Sequence, residues 1–168
     1  MSELVSKVAG SKYVSRIDLK SAYFQIYLST EGRKYTALDT HTGKFSYLRM
    51  PIGLTRAPNT CERMVIIMLR GTHRVAGSLM DDILVYSKDF ESHLKHIEDV
   101  LGRIKQAGLT VNAEKCTFAT NSLRLFGHWL ENGTISPDSE KVKVVSEWPI
   151  QKTKSLLKSF LGLCGFFS

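Results

Sequence analysis

The sequence predicts an α+β domain in which antiparallel strands form a sheet with helices on one face. Three observations predict it. Short strand-like runs alternate with helical patterns, two apolar runs flank a pair of acids as in a hairpin, and no repeat or low-complexity segment breaks this order. The 168 residues, 43% of them hydrophobic, are enough to bury a substantial core.

The first half of the chain is predicted to contain strands followed by one helix. Tyr13–Asp18 fits a strand that ends in a carboxylate, and segments 34–38 and 45–49 fit a strand pair joined through Thr42-Gly43. Segment 51–54 is expected to be a loop. A helix should follow this loop, because apolar residues recur at helical spacing at Ala57, Cys61, Met64 and Met68.

The clearest unit is a hairpin with acids at its tip. Short apolar runs at 75–79 and 83–86 flank Met80, Asp81 and Asp82. Neighbouring residues on a regular strand face opposite ways, so two adjacent acids share a site only where a turn breaks that alternation. An isolated pair of aspartates is most often a polar turn. Here the buried apolar ladder beside two like charges favours a bound cation instead.

A long helix is predicted after this hairpin. Asp89 should cap its beginning and Gly108 should end it. Its apolar stripe is predicted to be Phe90, Leu94, Ile97, Leu101 and Ile104. His93 and His96 flank this stripe, so we expect them on the solvated face and not at a metal site.

The last part of the chain is predicted to mix short strands with two helices. Strands are expected around Val111, Phe118 and segment 123–130. Ser136-Pro137 is expected to open one helix, with proline at its first position, and Thr153 to open another. The second of these helices would carry one apolar side, made of Leu156, Leu157, Phe160, Leu161 and Cys164.

Composition and charge narrow the function classes. The formal charge of +7 favours a polyanionic partner such as nucleic acid. No nucleophile set and no glycine-rich phosphate loop is present. No apolar run has the length of a membrane span, so no membrane partner is expected. Three dispersed cysteines and no signal-peptide pattern predict an intracellular protein, in the cytoplasm, within a particle, or in the nucleus.

An ordered series of motifs covers nearly the whole chain from Val14. The motifs are Val14–Tyr23, Arg33–Ala37, Leu48–Leu54, Ala57-Pro58, Met80–Ser87, His93-Leu94, Gly108-Leu109, Lys115-Cys116, Phe126–His128, Trp148-Pro149 and Ser159–Leu163. The series resembles the reverse transcriptases of retroviruses and of Ty3/gypsy-type retroelement pol polyproteins. The resemblance implies a polymerase palm, with a ferredoxin-like antiparallel sheet, partial fingers and the start of a thumb.

The resemblance also implies an enzymatic role and a metal site. It implies an RNA-directed DNA polymerase that transfers a nucleotide from a dNTP to a primer 3′-hydroxyl on an RNA or DNA template. Asp18 and Asp81 would be the principal ligands of two Mg²⁺ ions, with Mn²⁺ as an alternative, and Asp82 would support them.

Two further groups of residues acquire roles from the same resemblance. Tyr23 would lie beneath the incoming sugar, where its ring would clash with a 2′-hydroxyl, and Pro51, Ile52 and Gly53 would shape the dNTP pocket. Phe126, Gly127 and His128 would form the primer grip. Residues 1–130 would be the palm with partial fingers and the primer-grip hairpin, and residues 131–168 the start of a thumb or connection segment.

The chain departs from the family's usual pattern at several positions. Leu79 and Ile52 stand where the family usually has an aromatic residue, or at position 52 an amide, and Cys61-Glu62 replaces an aromatic residue and glutamine. Only 17 residues precede Asp18. Fingers residues that hold the triphosphate, and thumb, RNase H and protease segments, would belong to the rest of the polyprotein. We therefore expect metal binding with inefficient extension by this chain alone.

Three other interpretations are compatible with parts of the pattern. A noncatalytic, degenerate retroelement-derived domain could keep the fold and bind nucleic acid through its basic surface. A single-strand RNA-binding sheet domain would carry exposed stacking aromatics on its central strands, where this chain carries Asp18 and Asp81. A palm of the nucleotidyl cyclase kind would also use two acids, but it would lack the segment Phe126–His128.

Overall fold

The computed structural model describes residues 7–79, 82–125, 128–137, 143, 147–148 and 153–165. In chain order the elements are β1 (Tyr13–Asp18), α1 (Ala22–Gln25), α2 (Thr30–Lys34), β2 (Leu38–Thr40), β3 (Gly43–Phe45), α3 (Ala57–Met68), β4 (Ala76–Leu79), β5 (Asp82–Ser87), α4 (Phe90–Gln106), a 3₁₀ turn (Ala113–Lys115), β6 (Thr117–Thr120), β7 (Ser122–Leu125), β8 (His128–Glu131), β9 (Thr134–Pro137) and α5 (Lys154–Gly165).

The main sheet has four strands in the order β4-β5-β1-β6, and each strand is antiparallel to its neighbours. β1 and β5 pair over their full length, from Tyr13 with Ser87 to Asp18 with Asp82. β4 pairs with β5 as the predicted hairpin, although its tip at 80–81 lies outside the described residues. The α+β class and the antiparallel sheet are therefore confirmed.

The two faces of this sheet are buried by different layers. Successive strand residues point to opposite faces. One face packs against α3 and α4 in a cluster that includes Ile17, Ile83, Val85, Cys61, Val65, Ile97, Val100 and Ile104. The other face packs against the sheet β7-β8-β9 through Val14, Leu84, Tyr86, Leu123 and Leu130. Each buried apolar side chain of this size contributes about 1.5–3 kcal/mol, so both layers hold β1 and β5 in place.

The predicted strand pair near residue 40 forms a hairpin, but its two strands are shorter than expected and include only the residues next to the turn. Thr30–Lys34 forms a helix because the Ser29 hydroxyl accepts a hydrogen bond from the Gly32 amide at 3.1 Å and caps it. The prediction of a strand over 34–38 is therefore wrong except at Leu38. The hairpin itself pairs Leu38 with Phe45 across Thr42-Gly43.

Helix α4 begins and ends where its capping signals place it. The Ser92 amide donates to Asp89 Oδ1 at 2.8 Å, and Gly108 adopts a φ of +69° just past the helix. The predicted stripe is wrong in its first turns, where Phe90 and Leu94 are 49% and 50% exposed. The buried residues are instead His93, Ile97, Val100 and Ile104, which share one helix face at the same spacing.

His93 is the centre of a buried polar network, so its expected place on the solvated face is wrong. Its side chain is 0% exposed. Nε2 lies 2.8 Å from Ser15 Oγ on β1, and Nδ1 lies 2.9 Å from Ser87 Oγ on β5. Ser87 Oγ also lies 2.8 Å from His96 Nδ1. The two serine hydroxyls satisfy both ring nitrogens, which allows an imidazole to occupy a core position.

This network predicts that the domain loses stability in mildly acidic solution. Burial lowers the pKa of His93 below its ordinary value, and the neighbouring charge of His96 lowers it further. Between the two pKa values the unfolded chain binds a proton that the folded chain does not. The contribution of His93 to the free energy of unfolding is therefore complete above about pH 6.5, and it is lost as the pH falls through the folded pKa of His93.

The slope should reach at most about 1.4 kcal/mol per pH unit for this one proton. Urea unfolding between pH 5 and pH 8 measures it. A free energy of unfolding that is flat across this range would contradict the assignment. Asp89 would contribute separately and only in stronger acid, because its hydrogen bonds to Ser92 lower its pKa.

Ser136 and Pro137 lie in strand β9, so the prediction that a helix begins at these two residues is wrong. Most of the predicted helix after Pro137 lies outside the described residues, and the described residue Lys143 is helical. Asn132 and Gly133 have φ values of +49° and +80°, which form a tight turn whose twist suits a hairpin. The chain therefore returns as β9, and Ser136 pairs with Trp129 of β8. This small sheet runs across the predicted boundary at residue 130, and the division into two domains stays a prediction.

The last helix begins as its sequence predicts. Thr153 caps α5, since its Oγ1 accepts a hydrogen bond from the Leu156 amide at 3.2 Å. The apolar side of α5 is only partly covered, with Leu156, Leu157 and Leu161 exposed. Within the described residues, no helix combines the length and the apolar character needed to cross a membrane.

Candidate active site

Two of the predicted acids meet at one end of the main sheet. Asp18 is the last residue of β1 and Asp82 is the first residue of β5, and the two are direct cross-strand partners. Side chains of directly opposed residues point to the same face, with Cβ atoms about 4.5–5.5 Å apart. Both residues are partly exposed, whereas the preceding pair, Ile17 and Ile83, is buried. The two carboxylates therefore share one solvent-accessible end of the sheet.

The acids lie on the face opposite to the helices. Ile17 and Ile83 pack toward α3 and α4, so strand alternation places Asp18 and Asp82 on the other side. Arg16, two residues before Asp18, is on the same face. No ion pair joins Asp18 to a basic side chain among the residues that the structure describes.

The backbone on both sides of Asp18 is fixed by a later part of the chain. The Asn112 amide donates to the Asp18 carbonyl at 2.8 Å, and Leu19 bridges to Val111. The Asp18 amide donates to Cys116 Sγ at 3.4 Å. Sequence reasoning gave no role to Asn112. Its amide hydrogen bond could not have been read from residue type, because any residue except proline has such an amide.

One residue of the predicted nucleotide pocket, Tyr23, follows Asp18 closely along the chain, and the others lie in the loop at Pro51–Gly53. Tyr23 is half-buried on α1, which begins four residues after Asp18, and its ring packs against the main core. Ile52 is 73% exposed, and Gly53 adopts a φ of +102° that glycine accommodates without strain. Pro51 precedes them and is half-buried.

Three predicted site residues lie outside the described part of the chain. They are Asp81, Phe126 and Gly127. His128, the third residue of the predicted primer grip, begins β8 and pairs with Leu125 and Pro137. Within the described residues, no group of three or more histidine, cysteine or acidic side chains is placed to hold a metal ion.

Comparison with known proteins assigns the chain to a family. The family model "Reverse transcriptase (RNA-dependent DNA polymerase)" matches residues 2–145. The chain belongs to the reverse transcriptase family. Members of this family are RNA-directed DNA polymerases, a class of nucleotidyltransferases, and they generally use divalent metal ions.

Curated relatives place this reverse transcriptase domain among retrotransposon polyproteins. It is 33% identical over 164 residues to the retrovirus-related Pol polyprotein from transposon opus of Drosophila melanogaster, covering 97% of this chain and 16% of the relative. It is 33% identical over 163 residues to the Transposon Tf2-3 polyprotein of Schizosaccharomyces pombe, covering 95% of this chain and 12% of the relative. The chain thus spans about a sixth or less of these relatives.

Solved structures show the same fold. The foamy viral protease-reverse transcriptase in complex with double-stranded DNA matches with a TM-score of 0.85 at 22% identity, over 98% of this chain and 29% of that chain. The same viral enzyme in complex with an RNA/DNA hybrid matches with a TM-score of 0.77 at 22% identity, over 96% of this chain and 22% of that chain. The reverse transcriptase polymerase fold that the motifs imply is therefore confirmed.

The acid pair of this reverse transcriptase domain has the chemistry of a site for hard divalent cations. Two like charges placed directly opposite each other on a sheet destabilise it unless something compensates them. Mg²⁺ and Mn²⁺ prefer oxygen ligands, and Mg²⁺ is commonly bound by one or two carboxylates together with substrate phosphates and water. Asp18 and Asp82 fit this requirement because they are adjacent, accessible and on one face.

Proposed function

We propose that this domain is the polymerase palm of a retroelement reverse transcriptase and that Asp18, Asp81 and Asp82 form its catalytic acid cluster. The observation that carries the proposal is the direct pairing of Asp18 with Asp82 at the solvent-accessible end of the sheet, in a chain of the reverse transcriptase family. Asp81 is included because it is adjacent to Asp82 in the sequence.

The proposed reaction is templated nucleotidyl transfer. The primer 3′-hydroxyl gives its proton to solvent and its oxygen attacks the α-phosphorus of a dNTP. The bond from that phosphorus to the oxygen that bridges it to the β-phosphorus breaks, and pyrophosphate leaves with the electron pair. When bound, two Mg²⁺ ions supply Lewis-acid activation of the hydroxyl and compensate the charge of the leaving pyrophosphate. Asp18 and the Asp81-Asp82 pair would hold the cations, and the register between β1 and β5 places Asp18 opposite Asp82.

The other proposed site residues orient the substrates. Tyr23 lies beneath the sugar, and Pro51–Gly53 shape the pocket around the nucleotide. Phe126, Gly127 and His128 hold the primer end. The formal charge of +7 supports binding of a template with its primer, because lysine and arginine contacts to phosphates dominate such affinity. The solved structures of the foamy viral protease-reverse transcriptase contain double-stranded DNA or an RNA/DNA hybrid, which supports nucleic acid as the class of partner.

A primer-extension assay on RNA and DNA templates tests this function. We expect inefficient extension that nevertheless follows the template, requires Mg²⁺ or Mn²⁺, and stops when a chelator is added. Duplex binding is measured in parallel by fluorescence anisotropy at several salt concentrations, and affinity should fall steeply as salt rises. Duplex binding without any templated extension would contradict the catalytic proposal and favour the noncatalytic interpretation.

A further inference from the structure

Three segments that flank the proposed nucleotide site meet at Gln25, two of them at its side chain and the third at its backbone. Its Nε2 donates to the Lys20 carbonyl at 2.6 Å and to the Thr110 carbonyl at 2.9 Å. Its Oε1 accepts from the Thr110 amide at 2.6 Å. The orientation of the carboxamide is fixed by these partners, since two carbonyls require the amino group and the N–H requires the oxygen.

The first segment follows Asp18 along the chain and contains Lys20, and the second contains Thr110 and bonds to the backbone of Asp18. Lys20 lies in the turn that leaves β1, and its amide also donates to the Thr110 carbonyl at 2.9 Å. Thr110 begins the segment whose Asn112 amide holds the Asp18 carbonyl at 2.8 Å. The Gln25 side chain therefore closes a ring of hydrogen bonds around the end of β1, where the proposed metal ligand lies.

The third segment leads into the pocket loop. The backbone carbonyl of Gln25 accepts a hydrogen bond from Arg49 Nη1 at 2.9 Å, and the Arg49 guanidinium lies 3.7 Å from the centre of the Tyr27 ring. The next residue, Ile26, accepts from the Met50 amide at 2.9 Å. Met50 directly precedes Pro51–Gly53, so Gln25 connects this loop to the Asp18 turn.

Helix α1, which carries Tyr23, depends on such external bonds for its position. It has only four residues and no side-chain cap, and helices of this length are not stable by themselves. Its N-cap residue, Ser21, has a φ of +48°, a left-handed conformation that costs energy in a residue other than glycine. The three side-chain bonds of Gln25 therefore tie the C-terminal end of α1 to the turns at Lys20 and Thr110.

We propose that Gln25 is a positioning residue of the nucleotide site: it sets the placement of Tyr23 relative to Asp18 and thereby the preference for deoxyribonucleotides. This inference rests on the proposed polymerase function. Gln25 itself touches neither substrate nor metal. Its side chain acts through α1 and through the Asp18 turn, and its backbone carbonyl accepts from Arg49 at the pocket loop.

The variant Gln25→Glu tests the proposal with almost no change in shape. The introduced carboxylate still accepts from the Thr110 amide, but it cannot donate, so one oxygen would face the carbonyls of Lys20 and Thr110. Gln106→Glu is the matched control, because Gln106 is the exposed last residue of α4 and receives the same change in charge. Gln25→Ala, which removes all three bonds without adding charge, is the second variant.

The first measurement does not need catalysis. Amide hydrogen exchange, followed by NMR, should become at least about tenfold faster at Lys20 and Asn112 in both Gln25 variants, the effect expected from losing one or two net hydrogen bonds. At Thr110 it should become faster in Gln25→Ala alone, because the carboxylate of Gln25→Glu still accepts from that amide. It should stay unchanged in Gln106→Glu. Unchanged protection in both Gln25 variants, with the domain folded, overturns the positioning role whether or not the chain extends primers.

The second measurement separates positioning from general damage. In primer extension, both Gln25 variants should raise the KM for dNTPs and lower the preference for dNTPs over rNTPs by about tenfold, while duplex affinity stays constant. A purely structural loss would lower kcat equally for both sugars, and that result overturns the proposed effect on selectivity. If the unaltered chain extends no primer, the proposed polymerase function fails, and the exchange data decide whether Gln25 positions α1.

Discussion

Replacing Asp18 by asparagine is expected to lower metal-dependent primer extension by about a thousandfold. Asparagine keeps the size of the side chain but removes the negative charge that holds a divalent cation. Metal-assisted charge stabilisation is worth several kcal/mol, and about 4 kcal/mol corresponds to a thousandfold change in rate. Single-nucleotide extension under enzyme excess measures the effect, because it reports the chemical step without product release.

The control for this variant is Asp99→Asn. Asp99 lies on α4, on the helix side of the sheet, and its carboxylate pairs with Arg103 at 3.0 Å. Such a surface pair contributes only about 0.3–0.5 kcal/mol, so the control should extend primers at nearly the original rate. Equal activity of Asp18→Asn and Asp99→Asn would remove Asp18 from the active site.

Metal binding provides a second, independent measurement for the same variant. Mn²⁺ broadens the NMR signals of nuclei close to it, so titration should first broaden the amides around Asp18 and Asp82. Because each carboxylate contributes to a shared site, Asp18→Asn should weaken this broadening, and Asp99→Asn should not. Broadening that is centred elsewhere would show that the cation site lies away from this acid pair.

Replacing His93 by leucine is expected to destabilise the domain by about 2–4 kcal/mol. Leucine is of similar size, but it removes both ring nitrogens and leaves two buried hydroxyls each with one partner fewer. Ser15 Oγ would keep its bond from the Ala119 amide at 2.9 Å, and Ser87 Oγ would keep its contact with His96 at 2.8 Å. Each buried group that loses a partner costs about 1–3 kcal/mol, which sets the expected range.

Urea unfolding at pH 8 measures this loss, since the imidazole is neutral there in both the folded and the unfolded chain. His41→Leu is the control, because His41 is exposed at the β2–β3 turn and should change the free energy of unfolding little. A second variant, Ser15→Ala, should cost less when combined with His93→Leu than alone, because the two side chains share a hydrogen bond. A loss in His93→Leu no larger than in His41→Leu would contradict the structural role of the network.

Strands, helices and helix caps that depend on patterns within one short segment could be predicted from the amino-acid sequence. Tyr13–Asp18 and the hairpin of β4 and β5 were predictable because apolar runs of strand length are bounded by polar residues. Helix α3 followed from apolar spacing. The caps at Asp89 and Thr153 followed from residue type alone, because a capping side chain bonds within its own first turn.

The order of the motifs along the chain also identified the family. Each motif alone is short, but many of them in one order are specific to the reverse transcriptases. It further indicated that Asp18 belongs with the acids near position 82. The direct pairing of Asp18 with Asp82 required the tertiary structure, however, because strand register depends on which residues of two distant segments pack together.

The burial of polar side chains could not be predicted from residue type and spacing. His93 was expected on the surface because a histidine beside an apolar stripe is usually solvated, yet hydroxyls from β1 and β5 satisfy it inside the core. Ser136-Pro137 has the local signature of a helix start, but pairing with β8 overrides that preference. Gln25 is an ordinary polar residue in sequence, and its role appears only where the turns at Lys20 and Thr110 meet. In each case the deciding partner lies on another element, and a pattern within one segment of the chain carries no information about it.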